Sequence, residues 1–202
     1  MKINALKISI ALLLVSILSA CSIFNWEVER LKEKFVGDNM IIQTYDENSQ
    51  LIDRIEGKSI SIVPDERFAI TDVDGEVVEK SSVLNITVGG HEMMHVGSSL
   101  IAHSTELHNY FNDYAKTYDI ENQDKSMPFI NRFVNEFKNV TTGKEKLILI
   151  RSQSGTPLAT FYGNKVSTFS TTIDKTTGLL VDGERLFIYR CDYTIYDVAL
   201  FN

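Results

Sequence analysis

Cysteine is nearly absent from this chain of 202 residues, which has only Cys21 and Cys191. Proline occurs three times and tryptophan once, as Trp26. Basic residues are outnumbered, with 20 Lys and Arg against 27 Asp and Glu, for a formal net charge of −7. Each shortage excludes something. Two cysteines cannot build a disulfide scaffold. The prolines are too scattered to mark a linker, and there is no internal repeat or low-complexity tract. An acidic surface repels nucleic acid and anionic lipid headgroups, so no nucleic-acid partner is expected. Dinucleotide and phosphate-binding loops are missing as well, and no cofactor is expected.

What is present begins with an N-terminal pattern. Lys2 and Lys7 provide a positive start, and Ile8 to Leu18 is an apolar run broken only by two serines. Leu18-Ser19-Ala20-Cys21 then closes it with small residues and a cysteine. The run is too short to remain as a membrane-spanning helix and reads as a secretory signal peptide over residues 1–20. A cysteine at the cut site makes it a lipoprotein signal. The Cys21 thiol is expected to take a diacylglyceryl thioether, cleavage then frees its amine, and residues 21–36 become a lipid-anchored stalk. Removing residues 1–20 takes away both lysines and leaves a formal net charge of −9. Attachment must then come from acyl chains, at about 0.8 kcal/mol per buried CH₂, rather than from a basic patch. With Cys21 lipidated, Cys191 is the sole thiol, and its place in an aromatic run favours a buried, inert group.

Hydrophobic residues make up 44% of the chain, with 8 Tyr and 11 Phe, enough for a packed core. Residues 37–202 are expected to form a single globular α+β domain, mostly antiparallel sheet in meanders and hairpins. Trp26 to Phe35 has the charge spacing of a short stalk helix that Gly37 ends. From Asn39 the period changes to 2. Short apolar or alternating runs cover Met40–Tyr45, Leu51–Ile55, Ser59–Val63, Phe68–Thr71, Val77–Val78, Val83–Val88 and Ser99–His103. Turn chemistry separates them, and Asp74-Gly75 suggests a tight primed turn. Two amphipathic helices are expected mid-chain. The first carries Leu107, Tyr110, Phe111, Tyr114 and Tyr118 behind a Ser104 or Thr105 cap. The second is opened by Pro128 and carries Phe129, Ile130, Phe133, Val134 and Phe137. Strands return at Lys146–Arg151, Leu158–Tyr162, Lys165–Ser170, Leu179–Val181 and a long Arg185–Phe201. Gly163-Asn164 and Asp182-Gly183 are read as hairpin turns. In the last strand Phe187, Tyr189, Cys191, Tyr193 and Ile195 would face inward, with Arg190 and Asp192 paired on the outer face.

The arrangement resembles a family of Gram-positive lipoproteins, domain-of-unknown-function family 5052. The likeness runs through Leu31–Lys34, Ile42–Asp46, His95–Ile101, Leu149–Gly155 and Tyr189–Thr194. It implies a lipid anchor, one domain and a host whose only membrane carries the lipid on its outer face. It carries over no catalytic residue.

One motif suggests chemistry. His91-Glu92-Met93-Met94-His95 matches H-E-x-x-H, which on a helix aims two imidazoles at one zinc ion with the glutamate as base. Three glycines within Gly89–Gly97 disfavour that helix by roughly 3 kcal/mol. The extended pattern is also missing: Ser98 and Ile101 stand where glycine and histidine are required, and Glu106 or His108 would be improvised third ligands. A hairpin turn through Gly89–Glu92 is expected instead, which would set the two histidines about 13 Å apart along a strand. Asp72-Val73-Asp74-Gly75 lacks the distal glutamate of a calcium loop and reads as a turn. Ser152-Gln153-Ser154-Gly155 lacks the frame of a nucleophile elbow. Two functions follow as expectations: a non-enzymatic surface lipoprotein that binds a small ligand or an envelope protein, and, alternatively, a zinc-dependent hydrolase using His91, Glu92 and His95 at the membrane face.

Overall fold

The computed structural model describes residues 37–58, 60–111, 145–169, 171 and 173–201. Fourteen strands run through them: β1 (Asn39–Tyr45), β2 (Leu51–Lys58), β3 (Ser61–Pro64), β4 (Ile70–Thr71), β5 (Val77–Glu79), β6 (Leu84–Val88), β7 (His91–His95), β8 (Ser99–Ser104), β9 (Lys146–Arg151), β10 (Pro157–Gly163), β11 (Val166–Phe169), β12 (Thr176–Val181), β13 (Glu184–Tyr189) and β14 (Asp192–Asp197). The central sheet has six strands in the order β11-β12-β13-β8-β1-β2. Two three-stranded sheets, β3-β6-β7 and β10-β9-β14, and a ribbon of β4 and β5 complete the described fold. Every pairing is antiparallel.

Side-chain alternation divides the core in two. Met40, Ile42, Leu100, Ala102, Phe187 and Tyr189 leave one face of the central sheet and pack on Ile62, Leu84 and Ile86 of the β3-β6-β7 sheet. Ile101, Leu186, Ile188, Leu179 and Val181 leave the other face and pack on Ile148, Ile150, Ala159 and Phe161 of the β10-β9-β14 sheet. The central sheet is therefore the middle of three layers. This explains why β8 and the end of β13 are buried residue after residue instead of alternating. One cross-strand row, Ile42–Ala102–Phe187–Gly178–Phe169, shows how the layer closes. A Cβ on Gly178 would lie 2.2 Å from Cε2 of Phe169, so the phenyl ring occupies the space above the glycine.

Among the described residues the expected α+β class is corrected to a mostly antiparallel β fold. Among the described residues there is no α-helix of seven or more residues, and only two 3₁₀ turns, Glu66–Phe68 and Val198–Phe201. The stretches expected to form the stalk helix and the second mid-chain helix lie outside the described residues, as does most of the first. Where the start of that first helix is described, Ser104 Oγ accepts from the Glu106 N–H (3.2 Å) but caps only a turn, and helix begins at Tyr110, with Asn109 Oδ1 accepting from the Phe111 N–H (3.1 Å). Ser104 belongs to β8 opposite Met40, the Thr105 N–H donates to the Asn39 carbonyl, and Leu107 turns into the β core. Helical spacing of apolar residues reports only recurrence, and Leu107 serves the sheet. Residues 1–20, with the expected signal peptide, and residues 21–36, with the expected stalk, also lie outside the described residues.

The last strand is corrected too. The run from Arg185 onward breaks at Arg190, whose φ of 53° is left-handed, and the chain crosses from the central sheet (β13) to the β10-β9-β14 sheet (β14). Phe187 and Tyr189 are buried as expected, but Tyr193 and Ile195 are each 37% exposed. No Arg190–Asp192 ion pair occurs among the described residues.

Candidate functional site

Four connections end on the same side of the layered sheets: β1–β2, β7–β8, β9–β10 and β13–β14. Between them lies a cleft of about 780 Å³, within the range of small-ligand sites. Tyr45, Asp46, Glu47 and Asn48 line it from the first connection and Gly97, Ser98 and Ser99 from the second. Ser152, Gln153 and Ser154 come from the third and Arg190 from the fourth.

Two of these connections are the same turn. At 46–50, the Asp46 N–H donates to the Gln50 carbonyl (3.0 Å) and the Ser49 N–H to the Asp46 carbonyl (3.1 Å), while Asp46 Oδ1 accepts from the Gln50 N–H (2.8 Å). At 152–156, the Ser152 N–H donates to the Thr156 carbonyl (2.8 Å) and the Gly155 N–H to the Ser152 carbonyl (2.9 Å), while Ser152 Oγ accepts from the Thr156 N–H (3.2 Å). The fourth residue is left-handed in both, Ser49 at 69° and Gly155 at 85°. Asp72 to Glu76 repeats the device away from the cleft, with Gly75 at 85° and Asp72 Oδ1 accepting from the Asp74 and Glu76 N–H groups. Asp72–Gly75 is thus the turn the sequence suggested, although only its glycine is left-handed, so it is not a primed one. Asp182-Gly183 is primed, at 53° and 95°. Gly163-Asn164 is not; instead Asp182 Oδ1 accepts from the Asn164 and Lys165 N–H groups.

Three of the cleft's serine hydroxyls, those of Ser99, Ser152 and Ser154, are bonded among themselves or to the backbone. Ser152 Oγ and Ser154 Oγ are 2.9 Å apart, Ser154 Oγ and Thr156 Oγ1 3.4 Å, and Ser99 Oγ donates to the Arg190 carbonyl (2.9 Å). None is paired with an imidazole or carboxylate that could remove its proton, the arrangement a serine nucleophile needs. Arg190 is positioned by its backbone: its N–H continues the β12–β13 ladder to the Lys175 carbonyl (2.9 Å). The residue is half-buried, and its guanidinium has no hydrogen bond or ion pair among the described residues. Cys191 follows with Sγ 3.3 Å from the Tyr189 carbonyl, and burial pushes its thiol up to about 11, which keeps it protonated at neutral pH. Burial also raises the Tyr45 phenol far above its ordinary value, so it is a neutral wall of the cleft.

The H-E-x-x-H segment lies elsewhere. Gly89 and Gly90, at φ 57° and 85°, make the hairpin turn, which is two residues shorter than expected. All five motif residues form β7, where His91 stands opposite Val88 and His95 opposite Leu84, the two ends of the β6–β7 ladder. His95 Nε2 lies 2.9 Å from the Ser98 carbonyl. Glu92 bonds Asn85 and lies 3.6 Å from Arg67, which forms a fork on the Asp65 carboxylate at 2.6 and 2.8 Å. Glu92 and His95 thus have structural tasks, His91 is exposed, and the strand separates the two imidazoles. Groups of three or more His, Cys, Asp or Glu suited to a metal do not occur among the described residues. Cys21, the expected lipid site, lies outside them.

The model of the domain-of-unknown-function family DUF5052 matches residues 2–201. The chain belongs to that family. No curated protein and no solved structure matches it. Four of the five segments that carried the resemblance to DUF5052 reach the cleft: Ile42–Asp46, His95–Ile101, Leu149–Gly155 and Tyr189–Thr194. Ser152–Gly155 and Arg190 stood out in the sequence without being assigned to a site, while Tyr45 read as strand, Asn48 as turn and Ser98 as a departure from the zinc pattern. The turn-forming composition of Asp46–Ser49 and Ser152–Gly155 was the available signal; what it could not supply was that the two turns meet.

Proposed function

We propose that this protein is a lipoprotein of a Gram-positive cell surface, held on the outer face of the membrane by a diacylglyceryl group on Cys21. Its loop-end cleft binds a small ligand or a segment of an envelope partner without transforming it. The observation that supports this reading best is the convergence of four connections on one polar cleft carried by a three-layered sheet, the arrangement by which rigid β scaffolds present binding residues. The hydroxyls of Ser99, Ser152 and Ser154 are engaged with one another or with a carbonyl, which suits recognition and not nucleophilic attack. The anchor rests on Leu18-Ser19-Ala20-Cys21 alone.

Both halves can be tested in the host. Wild-type protein should carry an acyl label and sediment with membranes, while Cys21→Ala should lose the label and be released or mislocalised. Membrane retention of an unlabelled wild type would contradict the anchor. Ser98→Trp should fill the cleft without disturbing the half-exposed loop backbone, and purified envelope fragments should retain the wild type but not this variant. Equal retention of the two would contradict the cleft.

A further inference from the structure

The chemistry of the cleft narrows what it can hold. Arg190 is its only cationic side chain among the described residues, and Asp46 and Glu47 line the same cleft. Arg190 is half-buried and its guanidinium has no partner among the described residues, which leaves its planar fork free to match a carboxylate in two parallel hydrogen bonds. Asp46 and Glu47 oppose a second negative charge, which disfavours a phosphate dianion relative to a single carboxylate. Asp46 Oδ1 is taken by the turn, but Glu47 is exposed and no described residue bonds it, so it stands ready to accept from ligand hydroxyls. Ser98, Ser154, Asn48 and Gln153 add groups that donate and accept at once. Tyr45 and Ile52 supply the apolar contact.

We propose that the cleft binds a sugar acid: one carboxylate on the Arg190 guanidinium, with the hydroxyls of the same ring directed to Glu47 and the serine and amide groups. This rests on the reading of the cleft as the binding site and adds the class of ligand.

The test uses full-length protein in detergent, titrated calorimetrically with glucuronate, glucose and inorganic phosphate, with backbone amide shifts recorded in parallel. The informative variant is Arg190→Asn, because asparagine accepts the left-handed φ of 53° and should keep the turn, which an unchanged thermal midpoint would show. Glucuronate should bind saturably, at least tenfold more tightly than glucose or phosphate, and shift the amides of Ser98, Ser99 and Ser152–Ser154. Arg190→Asn should remove that preference. Absence of glucuronate binding, equal or tighter phosphate binding, or a preference that survives Arg190→Asn would each overturn the proposal. Glucose binding that shifts the same amides, with no advantage for glucuronate, would refute the sugar acid and leave the cleft as the site. Glucuronate shifts confined to other parts of the molecule would refute both.

Discussion

At the scale of single residues, His103 has the clearest consequence. It sits on β8 with 3% exposure, its ring centroid 5.1 Å from that of Phe161, and its Nδ1–H donates to the Ser104 carbonyl at 2.9 Å. Burial holds its pKa below the ordinary imidazole value of 6.5, outweighing the hydrogen bond that favours the charged form. The unfolded chain therefore binds this proton more tightly than the native one. Stability should be full above about pH 6.5 and fall as the pH drops toward the depressed native value. Urea unfolding at pH 7.5 and 5.5 should show this loss in the wild type and a smaller one in His103→Gln. Equal losses would show that the imidazole does not titrate with folding. His103 was legible only as part of the run Ser99–His103; its neutral, enclosed state required Phe161, 58 positions away, to be placed against it.

Elements were legible where local chemistry decides them and obscure where distant pairing does. Most strand starts follow from alternation, and the hairpin at Gly89-Gly90 follows from two glycines that accept left-handed angles. The corner at Arg190 carries no such sign, because an arginine at φ 53° is held there by bonds to Lys175 and Ser99 that only the assembled sheet provides. Ser49 is a comparable case with a measurable cost. Its φ is 69°, and its buried hydroxyl lacks a hydrogen-bond partner among the described residues. Gly75 and Gly155 hold the same place in the equivalent turns. Ser49→Gly should therefore stabilise the protein by about 1 kcal/mol, through relief of the left-handed backbone and loss of an unpaired polar group. A higher urea midpoint at unchanged slope would bear this out, and a lower midpoint would show that the serine stabilises the turn.

At the scale of the whole molecule, antiparallel sheet was legible but its layering was not. Alternation identifies a strand with one wet face. It fails for β8 and the end of β13, where both faces are covered and nothing in the residues says by which sheet. The same limit applies to the cleft: Asp46, Ser98, Ser152 and Arg190 span 145 positions, and only the three layers bring their connections to one end. On the proposed function, this loop end is where the protein meets its ligand or partner in the envelope. Hydrogen exchange of the full-length protein, with and without purified envelope fragments, tests it most directly. Slowed exchange is expected at residues 46–48, 97–99, 152–154 and 190, with the β4–β5 ribbon unaffected. Protection centred on another surface while these residues exchange as before would contradict it.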